Sequence, residues 1–357
     1  MAKKAWAWLV PAAALVLFAI AAAVGVGPWL ELLCGIGLIG AVLTAVHHAE
    51  VVAHRVGEPF GTLVLALAVT AIEASLVLSM MLAGGADAAT LPRDTIYAAV
   101  MIICTGVIGL CVLVGGIAHR EQTFNIQGAG GGVAALIVMA VLVLELPDFT
   151  VTTGYGTYNN AQLEFVAAVS AVLWAIYVFV QTVRHRDYFL PADGASDESV
   201  HAPPPSVAQA WASFGLLVAS LLAVVGLAKM LSPTVERGVE TLGAPRAVVG
   251  IVIAMLVLLP ETTAAVRAAH ANRLQTSMNL AIGSALASIG LTVPVVVLAS
   301  IAMRLPLTLG LAPKDLVLLD LTLLVTAIAL GTGRTYIMQG AVLLVLFASF
   351  FFLAFVP

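Results

Sequence analysis

The sequence predicts an all-α integral membrane protein with about eleven transmembrane helices: one leading helix followed by two inverted five-helix repeats. The first supporting observation is composition, because 62% of the 357 residues are hydrophobic, only 10% are charged and the mean hydropathy is +1.10. The second is that apolar runs of about 20 residues, the length needed to cross the hydrocarbon core, recur along the chain. The third is a single polar segment that divides these runs into two sets.

Eleven apolar runs are long enough to be spans. In order they are Ala5–Val24, Trp29–Ala53, Gly61–Ala83, Thr95–Ala118, Gly131–Leu146, Ala161–Val183, Val207–Met230, Val248–Ala269, Met278–Ala302, Leu316–Leu330 and Tyr336–Val356. The first run follows Lys3 and Lys4, so it also has features of a signal peptide. Its removal would leave ten spans with their orientations unchanged.

The polar segment, residues 186–206, is acidic and contains three consecutive prolines, so it can neither cross the membrane nor form a core. We predict four parts: a leading helix (1–27), a first five-helix repeat (28–185), a cytoplasmic acidic, proline-rich linker (186–206) and a second five-helix repeat (207–357). Five spans on each side of the linker enter the membrane in opposite directions. That is the geometry of an inverted repeat, in which the binding site lies near the bilayer midplane.

Charge predicts the orientation and excludes other classes. Nine of the fifteen Lys and Arg residues fall on the amino-terminal side of the predicted membrane and six on the other, which predicts a cytoplasmic N-terminus and an external C-terminus in the inner cell membrane. The net charge of -4 gives no indication of nucleic-acid binding. All three cysteines, Cys34, Cys104 and Cys111, fall within predicted spans, so we expect no disulfide, structural metal or cofactor.

Two glutamates interrupt the apolar runs at membrane depth. Glu73 lies near the middle of the run Thr62–Leu82, and Glu261 repeats the arrangement in the second half. A carboxylate at this depth costs about 2.5 to 3.5 kcal/mol on insertion scales, so it usually has a function. Each glutamate falls in the second helix of its repeat. We therefore predict that the two face each other and bind a cation or protons.

Neighbouring residues offer further oxygen atoms. Thr70 lies one turn before Glu73, and Pro260, which has no N–H, should release the carbonyl of Leu256. Small and polar residues also form a stripe at helical spacing in the following span: Ser277, Ala281, Ser284, Ser288 and Thr292. The stripe is suited to a hydrated path, but serines that only pack one helix against another would produce the same pattern.

Other polar residues are predicted near the two membrane surfaces. At the cytoplasmic side, His47, Glu50 and His54 share one helix face and Glu58 opens the next helix. They would shuttle protons or attract cations, or else form solvated helix ends. On the outer side the candidates for a second vestibule are Glu145, Asp148 and Glu164, although Glu164 is equally suited to a helix start.

Two segments carry a family resemblance. AEVVAHRVGEPFGTLVLALAVTAIEASLVL and LLPETTAAVRAAHANRLQTSMNLAIGSALASIGLTVPVV resemble the calcium/proton exchanger branch of the cation/calcium antiporter superfamily, most closely the bacterial ChaA-type antiporters. The resemblance covers most of the chain. It implies that Glu73 and Glu261 match the paired glutamates that alternately bind cation and protons, and that Ser284 belongs to the GS motif of that family.

The chain departs from the broader family at three positions. The family has Asn three residues before each glutamate and Gln after the GS motif, where this chain has Thr70, Leu258 and Ala287. The loss of three amide oxygens leaves fewer ligands for Ca²⁺, which prefers six to eight. The resemblance therefore implies Ca²⁺ first, with Na⁺ and K⁺ as alternatives.

Together these features predict a secondary transporter, not an enzyme, that exchanges a cation for protons by alternating access. Its partners would be the lipid bilayer, the transported cation and protons, and the oligomeric state is left open. Two alternatives remain: a cation channel, and an intramembrane metalloenzyme with His47, Glu50 and His54 as zinc ligands. The HExxH pattern of zinc hydrolases is absent.

Overall fold

The computed structural model describes residues 5–25, 27–57, 60–190, 205–241, 243, 245 and 247–356, and these are almost entirely helical. The α-helices are α1 (Ala5–Val24), α2 (Pro28–Val56), α3 (Phe60–Gly84), α4 (Leu91–Met101), α5 (Ile108–His119), α6 (Ile126–Ala140), α7 (Asn160–Phe179), α8 (Val207–Thr241), α9 (Ala247–His270), α10 (Leu274–Met303), α11 (Pro313–Leu330) and α12 (Ile337–Phe355). Two short strands are β1 (Glu121–Thr123) and β2 (Arg334–Tyr336).

Wider and tighter helical turns extend several of these helices. Turns of π-helix join α4 to α5 (Ile102–Val107) and follow α6 (Val141–Glu145) and α7 (Val180–Arg184). Turns of 3₁₀-helix lie at Gly85–Ala88, Leu146–Asp148 and Arg186–Phe189. Because α4 and α5 are joined end to end, they form one stretch from Leu91 to His119 that is long enough to cross a membrane.

The predicted all-α membrane architecture is confirmed. Within the described residues, ten helical stretches are long and apolar enough to span a bilayer. The remaining predicted span, Leu316–Leu330, lies in α11, which carries Lys314, Asp315 and Asp320 and is not among those ten. It nevertheless packs between α6 and α12 as part of the same bundle.

Some helices continue beyond the predicted spans, because apolar composition does not define where a helix stops. The clearest case is α8, whose membrane span Val207–Leu231 ends within one residue of the predicted Met230, while the helix itself continues to Thr241. An ion pair joins this extension to α2, because Arg237 Nη2 lies 2.8 Å from Glu31 Oε1. The polar end of α8 is therefore held against a neighbouring helix.

The hydrophobic interior consists of two clusters. The first contains buried side chains of α4–α7 and α10–α12, and the second contains those of α1, α2, α3 and α8. Helix α9 contributes to both: Ala254 and Leu258 belong to the first cluster, whereas Ile253 and Val257 belong to the second. Helix α3 is shared in the same way, since its Val77 lies in the first cluster. The two helices that carry the membrane glutamates thus lie at the boundary between the clusters.

Several helix–helix contacts occur twice, once with the helices of the first half and once with the corresponding helices of the second half exchanged. Helix α3 packs on α10 as α9 packs on α4 and α5, and α7 packs on α10 as α12 packs on α5. Helices α2 and α8 pack on each other. Two inverted repeats would give this exchange of partners. The boundaries of the four predicted parts stay a prediction, since residues 191–204 of the linker lie outside the described residues.

Hydrogen bonds between loops join the halves at both ends of the bundle; besides the two groups described next, Thr308 N donates to Ala89 O at 3.0 Å. At one end β1 pairs antiparallel with β2, and Phe124 N donates to Gly333 O at 3.0 Å; we call this the β clasp. At the other end Leu309 N and Gly310 N both donate to Gly156 O, at 3.0 and 2.9 Å; we call this the loop clasp. Each clasp joins a connection of the first half to one of the second.

The close contact between α12 and α5 depends on Gly340. A Cβ atom at this position would lie 2.6 Å from Leu113 N and 2.9 Å from Gly109 O, and neither backbone atom can move aside. We predict that Gly340→Ala lowers the stability by about 1 to 3 kcal/mol, as overpacking usually does. Thermal unfolding in detergent would measure this. Gly131→Ala in α6 is the matched control, because nothing lies within 4 Å of its Cβ position; equal unfolding midpoints for the two variants would contradict the prediction.

Candidate functional site

Glu73 is buried in the centre of the bundle. Only 3% of its surface is exposed, and its Oε2 accepts a hydrogen bond of 2.8 Å from Ser288 Oγ of α10. Its other carboxylate oxygen, Oε1, is also buried and has no hydrogen-bond partner among the described residues. A buried carboxylate oxygen without a donor is costly. This oxygen atom is therefore available to a proton or a cation.

Glu261 approaches Glu73 from α9. It lies within electrostatic range of Glu73 and also of Glu50 on α2. The side chain is half-buried, and its Oε2 is a buried atom without a partner in the described part of the chain. Two neighbouring carboxylates repel each other unless a cation or a proton lies between them. The arrangement is thus suited to binding one or the other.

Hydroxyl groups line the approach to Glu73. Ser288 and Thr292 lie one turn apart on α10, and Thr292, which is fully buried, is close enough to interact with the Glu73 carboxylate. Thr70 is buried one turn before Glu73 on α3, and Ser284 is half-buried one turn before Ser288. Of the predicted stripe on α10, Ser288 and Thr292 face the Glu73 carboxylate, whereas Ser277 lies beside Cys111 of α5 and Ala281 belongs to the first hydrophobic cluster.

The region on the other side of the carboxylates is apolar. The side chain of Leu256 lines a cavity of about 70 Å³ between α2, α3, α8 and α9, together with Leu76 and Met80. Helix α9 continues through Pro260, which cannot donate to the Leu256 carbonyl. Glu50, in contrast, is exposed near the opposite end of α2. Glu50 thus lies on the side of the glutamate pair where α1 begins, and the other side of the pair is apolar.

The residues predicted at the cytoplasmic mouth have different locations. His47 packs against α1, with its ring 5.2 Å from that of Trp6. His54 is half-buried near the end of α2, and Glu58 lies outside the described residues. Of this set, Glu50 lies within electrostatic range of Glu261.

The acidic residues predicted on the outer side, Glu145, Asp148 and Glu164, also lie in different places. Glu164 is exposed just after the first turn of α7, and Glu145 lies beside Asp320 of α11. Asp148 lies against Gly310 of the loop clasp, where a Cβ atom would be only 1.9 Å from Asp148 Oδ1. Asp148 therefore belongs to the loop clasp, and a role for these residues in a vestibule stays a prediction.

Sequence reasoning missed His48. Its side chain is 2% exposed, and its Nε2 lies 2.8 Å from Ala7 O of α1. The available signal was Pro11, four residues after Ala7, because a proline inside a helix frees the carbonyl four residues earlier. A hydrogen bond between two different helices could not be read from either segment alone.

The metalloenzyme alternative receives no support from the geometry. Across the part of the chain that the structure describes, no three or more His, Cys, Asp or Glu side chains are grouped to hold a metal ion. This includes the predicted zinc ligands His47, Glu50 and His54. All three cysteines are buried and free.

Comparison with known proteins agrees with this architecture. The family model described as sodium/calcium exchanger protein matches residues 26–183 and 212–356. The y4hA protein of Sinorhizobium fredii is 47% identical over 99% of this chain and 96% of its own length. The sodium-potassium/proton antiporter ChaA of Escherichia coli is 35% identical over 90% of this chain and 87% of its own. The structure of the Ca²⁺/H⁺ antiporter protein YfkE covers 98% of this chain and 99% of its own, with a TM-score of 0.69 at 21% identity.

The hydrogen bond from Ser288 to Glu73 generates a stability prediction. Ser288→Ala removes the donor to a buried carboxylate oxygen, so we expect a loss of about 1 to 3 kcal/mol, seen as a lower unfolding midpoint in detergent. Ser349→Ala is the control, because Ser349 is only partly buried on α12 and bonds to Val345 O of its own helix. An unfolding midpoint for Ser288→Ala no lower than that of the control would show that the bond does not stabilise the protein.

Proposed function

Because the chain belongs to the sodium/calcium exchanger protein family, and is therefore a multi-pass membrane transporter and not an enzyme, we propose that it exchanges a cation for protons at Glu73 and Glu261. The observation that carries this proposal is the pair of carboxylates, each with a buried oxygen atom that has no partner among the described residues. A cation between the two would neutralise them, and protons would do the same.

Competition for the pair would couple the two ligands. When both carboxylates are ionised, a cation binds between them; when protons neutralise them, the cation leaves. The empty, doubly charged pair is the species that is disfavoured in the apolar interior. Exchange follows because the site changes sides only when it holds a cation or protons.

Alternating access requires the pair to be reached from either side of the membrane. Helices α3 and α9 lie at the boundary between the two hydrophobic clusters, so a shift of one cluster against the other would move the walls of the site. In the described arrangement Glu50 lies within electrostatic range of Glu261, whereas Leu76, Met80 and Leu256 line an apolar cavity on the far side. This supports a state open toward the side where α1 begins, which we propose to be the cytoplasm.

We infer that Na⁺ or K⁺ is the cation, with Ca²⁺ as the second candidate. The site offers two carboxylates and the hydroxyl groups of Thr70, Ser284, Ser288 and Thr292, but the positions of the amides in the broader family hold other residues. Ca²⁺ prefers six to eight oxygen ligands, so this set favours a less demanding ion. The relative from E. coli is named a sodium-potassium/proton antiporter. Ca²⁺ stays the second candidate because the two carboxylates together balance the charge of a divalent ion. This order reverses the one expected from the sequence.

A cation channel is not favoured. A channel would pass cations without moving protons, whereas the family members described above are named as antiporters. Proton movement against a cation gradient therefore separates the two functions.

Proteoliposomes with an imposed pH gradient test the exchange. We predict that adding the transported cation dissipates the gradient, and that Glu73→Gln and Glu261→Gln each slow this by roughly tenfold or more, because an amide can neither bind protons nor neutralise a cation. Glu121→Gln is the matched control, since Glu121 is exposed on β1, outside the membrane-spanning helices. If both site variants match the parent protein, the shared-carboxylate mechanism is wrong.

Ion selectivity can be measured by thermal unfolding. A cation that binds the folded protein stabilises it, by about 2.7 kcal/mol when its concentration is a hundred times its Kd. We predict stabilisation by Na⁺ or K⁺ relative to choline, its loss in Glu261→Gln, and its weakening at low pH because protons compete for the pair. Stabilisation by Ca²⁺ alone would reverse the proposed order of ions.

A further inference from the structure

Helix α1 stands outside the two predicted repeats, yet it makes a specific contact with α2. Pro11 lies inside α1 and has no N–H, so the carbonyl of Ala7 loses its usual donor within the helix. His48 Nε2 of α2 lies 2.8 Å from that oxygen. A carbonyl only accepts, so the imidazole donates its Nε2–H. A histidine of one helix thus satisfies the carbonyl that a proline leaves free in another.

The packing around this hydrogen bond fixes how α1 lies on its neighbours. Glycines of α2 leave room for α1: a Cβ at Gly40 would lie 2.9 Å from Val10, and one at Gly37 would lie 2.7 Å from Leu17. Gly226 of α8 accommodates Phe18 in the same way. The contacts run antiparallel along α1 and α2 and continue to the bond from His48. Helix α1 is therefore held along most of its length.

Glu50 follows His48 by two residues on α2. Residues two apart on a helix point to different sides, so α2 faces α1 through His48 and the glutamate pair through Glu50. The electrostatic contact between Glu50 and Glu261 agrees with this placement. Any rotation or shift of α2 would therefore change both contacts together.

We propose that His48 is a positioning residue for transport. Its hydrogen bond to Ala7 fixes the rotation and depth of α2, which packs on α9, and this keeps the carboxylate of Glu50 within electrostatic range of Glu261, where its negative charge attracts the incoming cation or proton. Helix α1 is then a working part of the exchanger. The inference rests on the proposed function of Glu261.

A double-mutant cycle tests whether His48 acts through Glu50. In proteoliposomes we expect His48→Ala and Glu50→Gln each to slow exchange roughly five- to tenfold. The double variant should be no slower than Glu50→Gln alone, because His48→Ala acts by displacing the Glu50 carboxylate and Glu50→Gln has already removed it. His48→Gln should keep most of the rate, since its amide nitrogen is as many bonds from Cα as Nε2 and can donate to Ala7. Effects that multiply in the double variant, or no rescue by His48→Gln, would overturn the proposal.

Cross-linking tests the hydrogen bond without transport. In a protein whose three native cysteines are replaced by alanine, Leu17→Cys with Gly37→Cys should form a disulfide between α1 and α2. We expect slower cross-linking in His48→Ala and in Pro11→Ala, which restores the N–H that competes for Ala7. Pro28→Ala is the control, because a proline in the first turn of α2 frees no carbonyl. Equal rates in all four proteins would refute the positioning role. If the cross-linking rates differ as expected but the parent protein exchanges no cation for protons, the proposed exchange is refuted and the positioning of α2 by His48 is not.

Discussion

The burial of two carboxylates at membrane depth is the constraint on which the rest of the structure depends. An ionised side chain there is costly, so it persists only where donors, cations or protons compensate it. Ser288 supplies one donor to Glu73, and neither glutamate has its oxygens fully satisfied within the described residues. The bundle around them keeps these atoms together and keeps lipid away. What the fold stabilises is thus a site that is incomplete without its ligand.

The two clasps and the two hydrophobic clusters explain how such a site could open without the bundle coming apart. The β clasp and the loop clasp join connections at opposite ends, and both belong to helices of the first cluster. The second cluster, built on α1, α2, α3 and α8, is joined to the α10–α11 connection by one backbone hydrogen bond, from Thr308 N to Ala89 O after α3. Hydrogen bonds between loops thus hold the first cluster at both ends and α3 at one end.

Much of this was predictable from the sequence, because lipid imposes a strong rule on composition. Apolar runs gave the helices, and the rarity of carboxylates at their centres gave Glu73 and Glu261. The helix stripe gave Ser288. Contacts between distant segments were not predictable: Arg237 in the extension of α8 pairs with Glu31, and His48 bonds to a carbonyl forty-one residues away. Hydropathy indicates which segments lie in the membrane, but it does not indicate which residues from different segments are in contact.

The pairing of Glu73 with Glu261 has an electrical consequence. If the site holds either two protons or one cation, exchange of two protons for a divalent ion moves no net charge, whereas exchange for a monovalent ion moves one. Each elementary charge that crosses the membrane gains or loses about 2.3 kcal/mol per 100 mV of potential. A pair of carboxylates that carries a monovalent ion would therefore make the exchanger respond to voltage as well as to pH, and the same pair carrying a divalent ion would make it indifferent to voltage.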